Sequence, residues 1–183
     1  MSSDLLSSSV GASAAPEIVP ESKHYAERVE ALFDRAFGPG RHAKTADRLR
    51  EHNELFRHLS RVAVVEDGIV GAVRVWPVLI GANKACVFIG PVAVDADYRG
   101  GSLGLALTQS CLDAAAEAGI FAAVLIGDAP YFSRVGFEQV STQKIQPPGY
   151  VPEGRLLVKL LSDVEGVEGV EGRISVPPAT MPT

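Results

Sequence analysis

The stretch Gly90-Pro91-Val92-Ala93-Val94-Asp95-Ala96-Asp97-Tyr98-Arg99-Gly100-Gly101-Ser102-Leu103-Gly104-Leu105-Ala106-Leu107 decides how the rest of the chain is read. An apolar, β-branched run ends at Val94, a short polar loop follows, and from Leu103 the apolar positions Leu107, Cys111, Ala115 and Ala118 recur at helical spacing until Gly119. A strand therefore passes through a glycine-rich turn into a helix. Glycines at 100, 101 and 104 let successive N–H groups converge, the helix N-terminus carries about half a positive charge, and Arg99 adds a full one. A pyrophosphate suits such a cradle, and the pattern also suits an ordinary strand-to-helix turn. Other anion loops are excluded. No Gly-Lys-Ser/Thr follows, so this is not a P-loop, and Arg99 stands where the dinucleotide fingerprint needs its first glycine.

Outward from this stretch the periodicity alternates between the two regular structures. Tyr25, Val29, Leu32, Phe33 and Phe37 predict a helix over 24–37, and Leu49, Leu55, Phe56 and Leu59 predict a second over 44–59. Strands are expected at 62–65, 69–79 and 86–94, the first pair joined at Glu66-Asp67-Gly68 and the last interrupted by a bulge at Gly90-Pro91, where a ladder donor is missing. Downstream, a strand at 121–126, a short helix at 130–135 and strands at 137–145 and 155–161 complete an α/β chain of the α+β type. Its sheet is mixed, mostly antiparallel, of six or seven strands, with helices on its faces.

The chain of 183 residues is 46% hydrophobic and 21% charged, enough for one globular domain. Its formal net charge of −5 gives no basic surplus for nucleic acid. Acidic residues near both ends account for that charge: Asp4 and Glu17 in residues 1–17, and Asp163, Glu165, Glu168 and Glu171 against Arg173 in residues 162–183. Both ends lack apolar periodicity, and the second contains Val-Glu-Gly three times over, so both are expected to be disordered tails around a domain at 18–161. No run of about 18 apolar residues suggests a membrane span. Met1–Ala15 does not read as a signal peptide, and two cysteines make neither a disulfide scaffold nor a cysteine-built zinc site. A cytoplasmic protein without a metal, monomeric or homodimeric, is expected.

Arg99-x-x-Ser102-x-Gly104 after Val92-Ala93-Val94 resembles the acyl-CoA signature Arg/Gln-x-x-Gly-x-Gly/Ala of the GNAT N-acetyltransferase superfamily. Val124-Leu125-Ile126-Gly127-Asp128-Ala129-Pro130-Tyr131-Phe132-Ser133-Arg134-Val135-Gly136-Phe137 is similar to a second block of that superfamily, in its YhbS-like branch, and Val65–Gly71 resembles the hairpin between its second and third strands. The resemblance covers about residues 18–161. It implies an acyltransferase that moves acetyl from acetyl-CoA to an amine, on a small molecule or a protein, by direct attack in a sheet split by a V-shaped gap. It also implies that Val92 and Val94, with Ala93 between them in the cofactor-binding stretch, pair with the pantetheine arm, that Arg99, Gly100, Gly101, Ser102, Leu103, Gly104 and Leu105 hold the pyrophosphate, and that Phe132 lies against the cofactor.

Two positions depart from the pattern. Ser102 replaces the second cradle glycine, with a hydroxyl able to cap the helix or donate to phosphate. Phe132 stands where the family's thiolate-protonating tyrosine is usual, and its neighbour Tyr131 is the nearest hydroxyl, although adjacent helical residues point about 100° apart. Tyr131 is the candidate acid and Asp128 the candidate base, with capping of the short helix that Pro130 begins as the plainer role for Asp128. His52, Glu54 and His58 on the second helix, and Arg74 and Trp76 on one strand face, are further candidates for an acceptor pocket. These departures leave a second class of function open, an acyl-CoA-binding sensor or interaction module without transfer.

Overall fold

The computed structural model describes residues 15–38, 45–66, 68–81, 84–162 and 170–178. The sheet is built from nine strands: β1 (Glu17–Pro20), β2 (Arg61–Val65), β3 (Gly68–Ile80), β4 (Lys84–Val94), β5 (Ala122–Ile126), β6 (Glu138–Gln139), β7 (Ile145–Gln146), β8 (Leu156–Leu160) and β9 (Gly172–Ser175). Four helices accompany it: α1 (Ala26–Phe37), α2 (Thr45–Arg48), α3 (Leu103–Glu117) and α4 (Ala129–Phe132). Seven strands form a path in the order β1-β2-β3-β4-β5-β8-β6, as wide as the sequence suggests, and β9 joins β3 and β7 beside it. The β4–β5 and β7–β9 pairs are parallel and the other pairs antiparallel.

Alternation along the strands explains the two layers. Ala63, Val73, Val75, Val87, Ile89 and Leu125 point to one face, where α3 packs Leu105, Leu107, Cys111 and Ala115 on them. Val62, Ala72 and Ala93 point to the other, under Val29, Leu32 and Phe33 of α1. Further along that second face, Phe88, Val124 and Val158 are covered by Leu49 and Val151 from loops, by Ile145 of β7, and by Val170 and Ile174. Between α1 and these loops the second face is left open.

The gap in the sheet starts at the expected bulge. Val73 faces Val92 but Val75 faces Ile89, so β4 takes three steps where β3 takes two, with the extra residue at Gly90-Pro91. The Gly90–Pro91 peptide is cis, and the Trp76 indole N–H donates to the Gly90 carbonyl at 2.8 Å. Beyond the bulge β4 leaves β5, whose last partner on it pairs Leu125 with Ile89.

Four expectations are corrected. The helix at 44–59 is only the single turn α2, followed by turns. Its apolar residues serve different cores, Leu49 in one and Leu59 in another, and the Phe56 N–H donates to the Val75 carbonyl of β3 at 3.0 Å. The strand at 137–145 is two short pieces, β6 and β7, with a turn between. Glu17, placed in the N-terminal tail, is part of β1 and pairs with Val64. Residues 170–178 are not a tail, because Ser175 and Ile174 pair with Leu79 and Ile80 and both Val170 and Ile174 are buried. The remainder of both expected tails, 1–14, 163–169 and 179–183, lies outside the described residues.

Candidate active site

Past the bulge, β4 presents its backbone to the gap. The Asp95 N–H donates to the Val70 carbonyl on β3 at 2.8 Å, and peptide groups alternate sides along a strand. Ala93 therefore faces β3, and Val92 and Val94 turn their N–H and C=O groups toward the opening. No strand pairs with them there among the described residues.

The chain then makes a 3-10 turn at Ala96–Tyr98, capped by the Asp95 carboxylate, and enters α3 through Gly100 at φ +85°. The N–H groups from Gly101 to Leu105 have no carbonyl partner among the described residues, as the first turn of a helix requires. Ser102 is the N-cap residue but its hydroxyl makes no capping bond, so that hydroxyl is not used within the helix. Gly104 is set by close approach: a Cβ there would stand 2.6 Å from the Tyr131 hydroxyl oxygen and 3.5 Å from a Val94 methyl. Arg99 is exposed, and its Nε donates to the outward-facing Val94 carbonyl at 3.1 Å.

Two clefts meet at this edge. The smaller, about 290 Å³, is lined by Ala36, Phe37, Val92, Ala93, Val94, Arg99, Gly104, Tyr131 and Phe132. The larger, about 1020 Å³, runs between the parted strands and the loops, from Gly90, Pro91 and Val92 across to Ile126, Gly127, Asp128, Tyr150 and Arg155. Phe37, Val92 and Phe132 belong to both, and Phe132 is 8% exposed. Tyr131 lines only the smaller one and meets Phe132 edge to face, with ring centroids 4.9 Å apart.

The candidate residues separate accordingly. Val92, Ala93, Val94, Arg99, Gly104, Tyr131 and Phe132 come together around the smaller cleft, with Gly100, Gly101, Ser102, Leu103 and Leu105 at its helix end. Asp128 lines the larger cleft, and its Oδ2 caps α4 by accepting from the Tyr131 N–H at 3.2 Å. His52, Glu54 and His58 line neither cleft. Nor do Arg74 and Trp76. Trp76 closes the bulge, and Arg74 is buried, donating to Glu21 from Nε and Nη2 at 3.1 and 2.9 Å and to Glu30 from Nη1. Burial pulls down the Arg74 pKa, but hydrogen bonds and charge from Glu21, then Glu30, outweigh it, and the net shift is upward. Residues that sequence reasoning missed form the far wall of the larger cleft: Arg48 on α2, and Tyr150 and Arg155 around the 147–155 segment. Nothing in their spacing signals that α2 and a segment about 100 residues later meet.

A mixed sheet parted beyond a strand bulge, with a free strand edge leading to an open helix N-terminus, defines the acyltransferase architecture that the sequence resembles. The acetyltransferase (GNAT) family matches residues 26–137, and the chain belongs to that family of N-acetyltransferases. YhbS of Escherichia coli (strain K12), described as an uncharacterized N-acetyltransferase, is 33% identical over 148 residues, covering 80% of this chain and 87% of YhbS. The crystal structure of Escherichia coli YhbS in complex with CoA superposes with a TM-score of 0.74 at 31% identity, over 90% of this chain and 91% of that one. A GNAT family acetyltransferase from Brucella melitensis in complex with acetyl-CoA gives 0.59 at 28% identity, over 77% and 94%.

Proposed function

We propose that the protein transfers an acetyl group from acetyl-CoA to an amine by direct attack on the thioester. The observation that carries this reading is the unpaired edge at Val92 and Val94, continuous with the free N–H groups at the start of α3. A pantetheine arm extended along that edge has strand-like partners, and a pyrophosphate at its end meets the helix N-terminus with Arg99 beside it. The thioester then lies near Val92 and Phe132, where the two clefts join, and the amine approaches through the larger one. Attack forms the C–N bond and breaks the C–S bond. The backbone N–H at Val92 is aimed into the gap as an oxyanion donor. In this reading Asp128, or a water beside it, takes the ammonium proton, and the Tyr131 hydroxyl returns a proton to the thiolate. In this reading these side chains and the backbone carry the proton and charge transfers. A cytoplasmic setting, where acetyl-CoA is plentiful, fits this reading.

One observation favours a second reading. Phe132, at the junction of the clefts, has no proton to give, which suits a protein that binds acyl-CoA without turning it over. Thiol release separates the two. With acetyl-CoA and a panel of amines, catalysis liberates free CoA thiol; binding alone raises the melting temperature without release. The shared premise has its own check. The double variant Arg99→Ala with Gly104→Val is expected to weaken CoA binding at least about 10-fold in calorimetry, from lost charge-assisted bonds and a displaced Tyr131. Unchanged affinity overturns both readings.

A further inference from the structure

The far wall of the larger cleft bears on which amine is used. Two segments distant in sequence are stitched together there. The Thr45 hydroxyl donates to the Tyr150 carbonyl, and Arg48 Nη1 donates to the Pro148 carbonyl at 2.8 Å. Gly149 lies so close to α2 that a Cβ would stand 2.8 Å from Thr45 Oγ1. This wall is therefore held together by the protein's own hydrogen bonds.

Its charge is one-sided. Arg48, Arg50 and Arg155 line the cleft, and Asp128 is the one carboxylate among its described lining residues. Arg50 is engaged, with its Nε 3.6 Å from Asp47 and hydrogen-bonded to the Ala46 carbonyl. Asp128 has one oxygen occupied by the α4 cap. Arg48 is exposed and gives one nitrogen to a neutral carbonyl, so its charge is not offset there. Arg155 is exposed, and its guanidinium has no side-chain bond or ion pair among the described residues. Low-dielectric walls such as Phe37, Phe88 and Val151 strengthen the field of those two cations inside the cleft. A polyamine entering it is repelled, whereas a carboxylate or phosphate meets fork-shaped donors suited to two parallel hydrogen bonds.

We propose that the acceptor is an amine that also carries an anionic group, a carboxylate or a phosphate, held by Arg48 and Arg155 while its amino group faces Asp128 and the Val92 edge. This rests on the acyl-transfer reading above. The amino nitrogen loses a proton to Asp128 or water, forms the amide bond as the C–S bond breaks, and the thiolate takes up a proton. The product keeps the anion and has lost the amine's positive charge.

The test uses the full chain, acetyl-CoA and matched acceptors: amino acids, their neutral carboxamides, phosphoethanolamine and putrescine, followed by thiol release. The expected result is that the best acceptor is anionic, with kcat/KM at least about 10-fold above its neutral counterpart. Arg155→Gln, and separately Arg48→Gln, should raise KM for it about 10- to 100-fold while leaving the KM for acetyl-CoA little changed. Arg155 is exposed, so its variant folds even if Arg48→Gln loosens the wall. Best activity on putrescine or a neutral carboxamide, or an unchanged KM in Arg155→Gln, overturns the proposal. If no amine releases thiol, the same acceptors are tested for thermal stabilisation of the CoA-loaded protein. A shift by the anionic members that is lost in Arg155→Gln upholds the anion site and removes the transfer reading; no shift removes the anion site as well.

Discussion

Tyr131 and Phe132 are neighbours in sequence and differ in what they face. Phe132 is the shared wall of two clefts, and Tyr131 turns its hydroxyl to Gly104 at the start of α3. If Tyr131 protonates the departing thiolate, Tyr131→Phe lowers kcat by about 10²- to 10⁴-fold with CoA affinity unchanged, and Phe132→Tyr keeps or raises kcat. Normal turnover in Tyr131→Phe, measured by thiol release, assigns the proton to water. Arg74 makes a second residue-scale prediction. The Glu21 side chain is fully buried and receives Arg74 together with Arg57, 3.0 Å away. Removing Arg74 leaves a buried carboxylate short of its main partner. Arg74→Leu is expected to cost about 3–5 kcal/mol in urea denaturation, while Glu21→Gln in the same background recovers part of it. Sequence reasoning placed Arg74 on a strand face and gave it to an acceptor pocket. A lone arginine between valines does not reveal its partner when that partner, Glu21, lies more than 50 residues away on the chain entering α1.

At the scale of elements, what was legible followed from local pattern. The helix from Leu103, the hairpin between β2 and β3 and the bulge at Gly90-Pro91 each carry their signal within a few residues. The elements that escaped are held by distant partners. β9 has glycine at every third position nearby and only Val170 and Ile174 to bury, so it reads as disordered until the free end of β3 at Leu79 and Ile80 is known. The segment after α2 reads as a helix because four apolar residues happen to fall near a helical period, while its backbone bonds to β3 at Val75 instead. The burial of β9 gives a measurable consequence. Ile174 is 2% exposed, so Ile174→Ala should cost about 2–4 kcal/mol, read from denaturant midpoints. Ending the chain after Ser162 should lower the melting temperature by many degrees, against the expectation that residues 162–183 form a disordered tail.

For the whole molecule, the two cysteines tie stability to alkaline pH. Burial pushes the Cys86 thiol up to about 11 and the Cys111 thiol up to about 12. Below about pH 8.5 folded and unfolded chains both keep these protons, and the thiols contribute no slope. Above it the unfolded chain releases them and the folded chain does not. Stability then falls by about 1.4 kcal/mol per pH unit for each thiol, until pH passes its folded value. Urea denaturation at pH 8 and pH 10 should show the loss, and Cys111→Ala should remove its share. At neutral pH neither thiol should react with a disulfide reagent while the chain is folded. Fold class and the loop leading into α3 were readable from sequence at this scale because two motifs in order fix the sheet between them. The far wall of the larger cleft was not, since it forms only when the chain's two halves close over the same sheet face.

Arg99 lends its Nε to the Val94 carbonyl, one of the groups that faces the gap. That guanidinium uses the acceptor that a strand-like arm laid along this edge would also need. If a pantetheine amide binds there as proposed, it exchanges one hydrogen bond for another, and the freed arginine can turn toward the phosphates. The swap is a side-chain rotation, fast on the ps–ns scale, so it sets no limit on the rate of arrival. Its enthalpy nearly cancels, and the net gain at this residue comes from charge meeting charge. Donor capture should therefore weaken as salt rises, even though the strand edge that receives the arm is built from uncharged backbone.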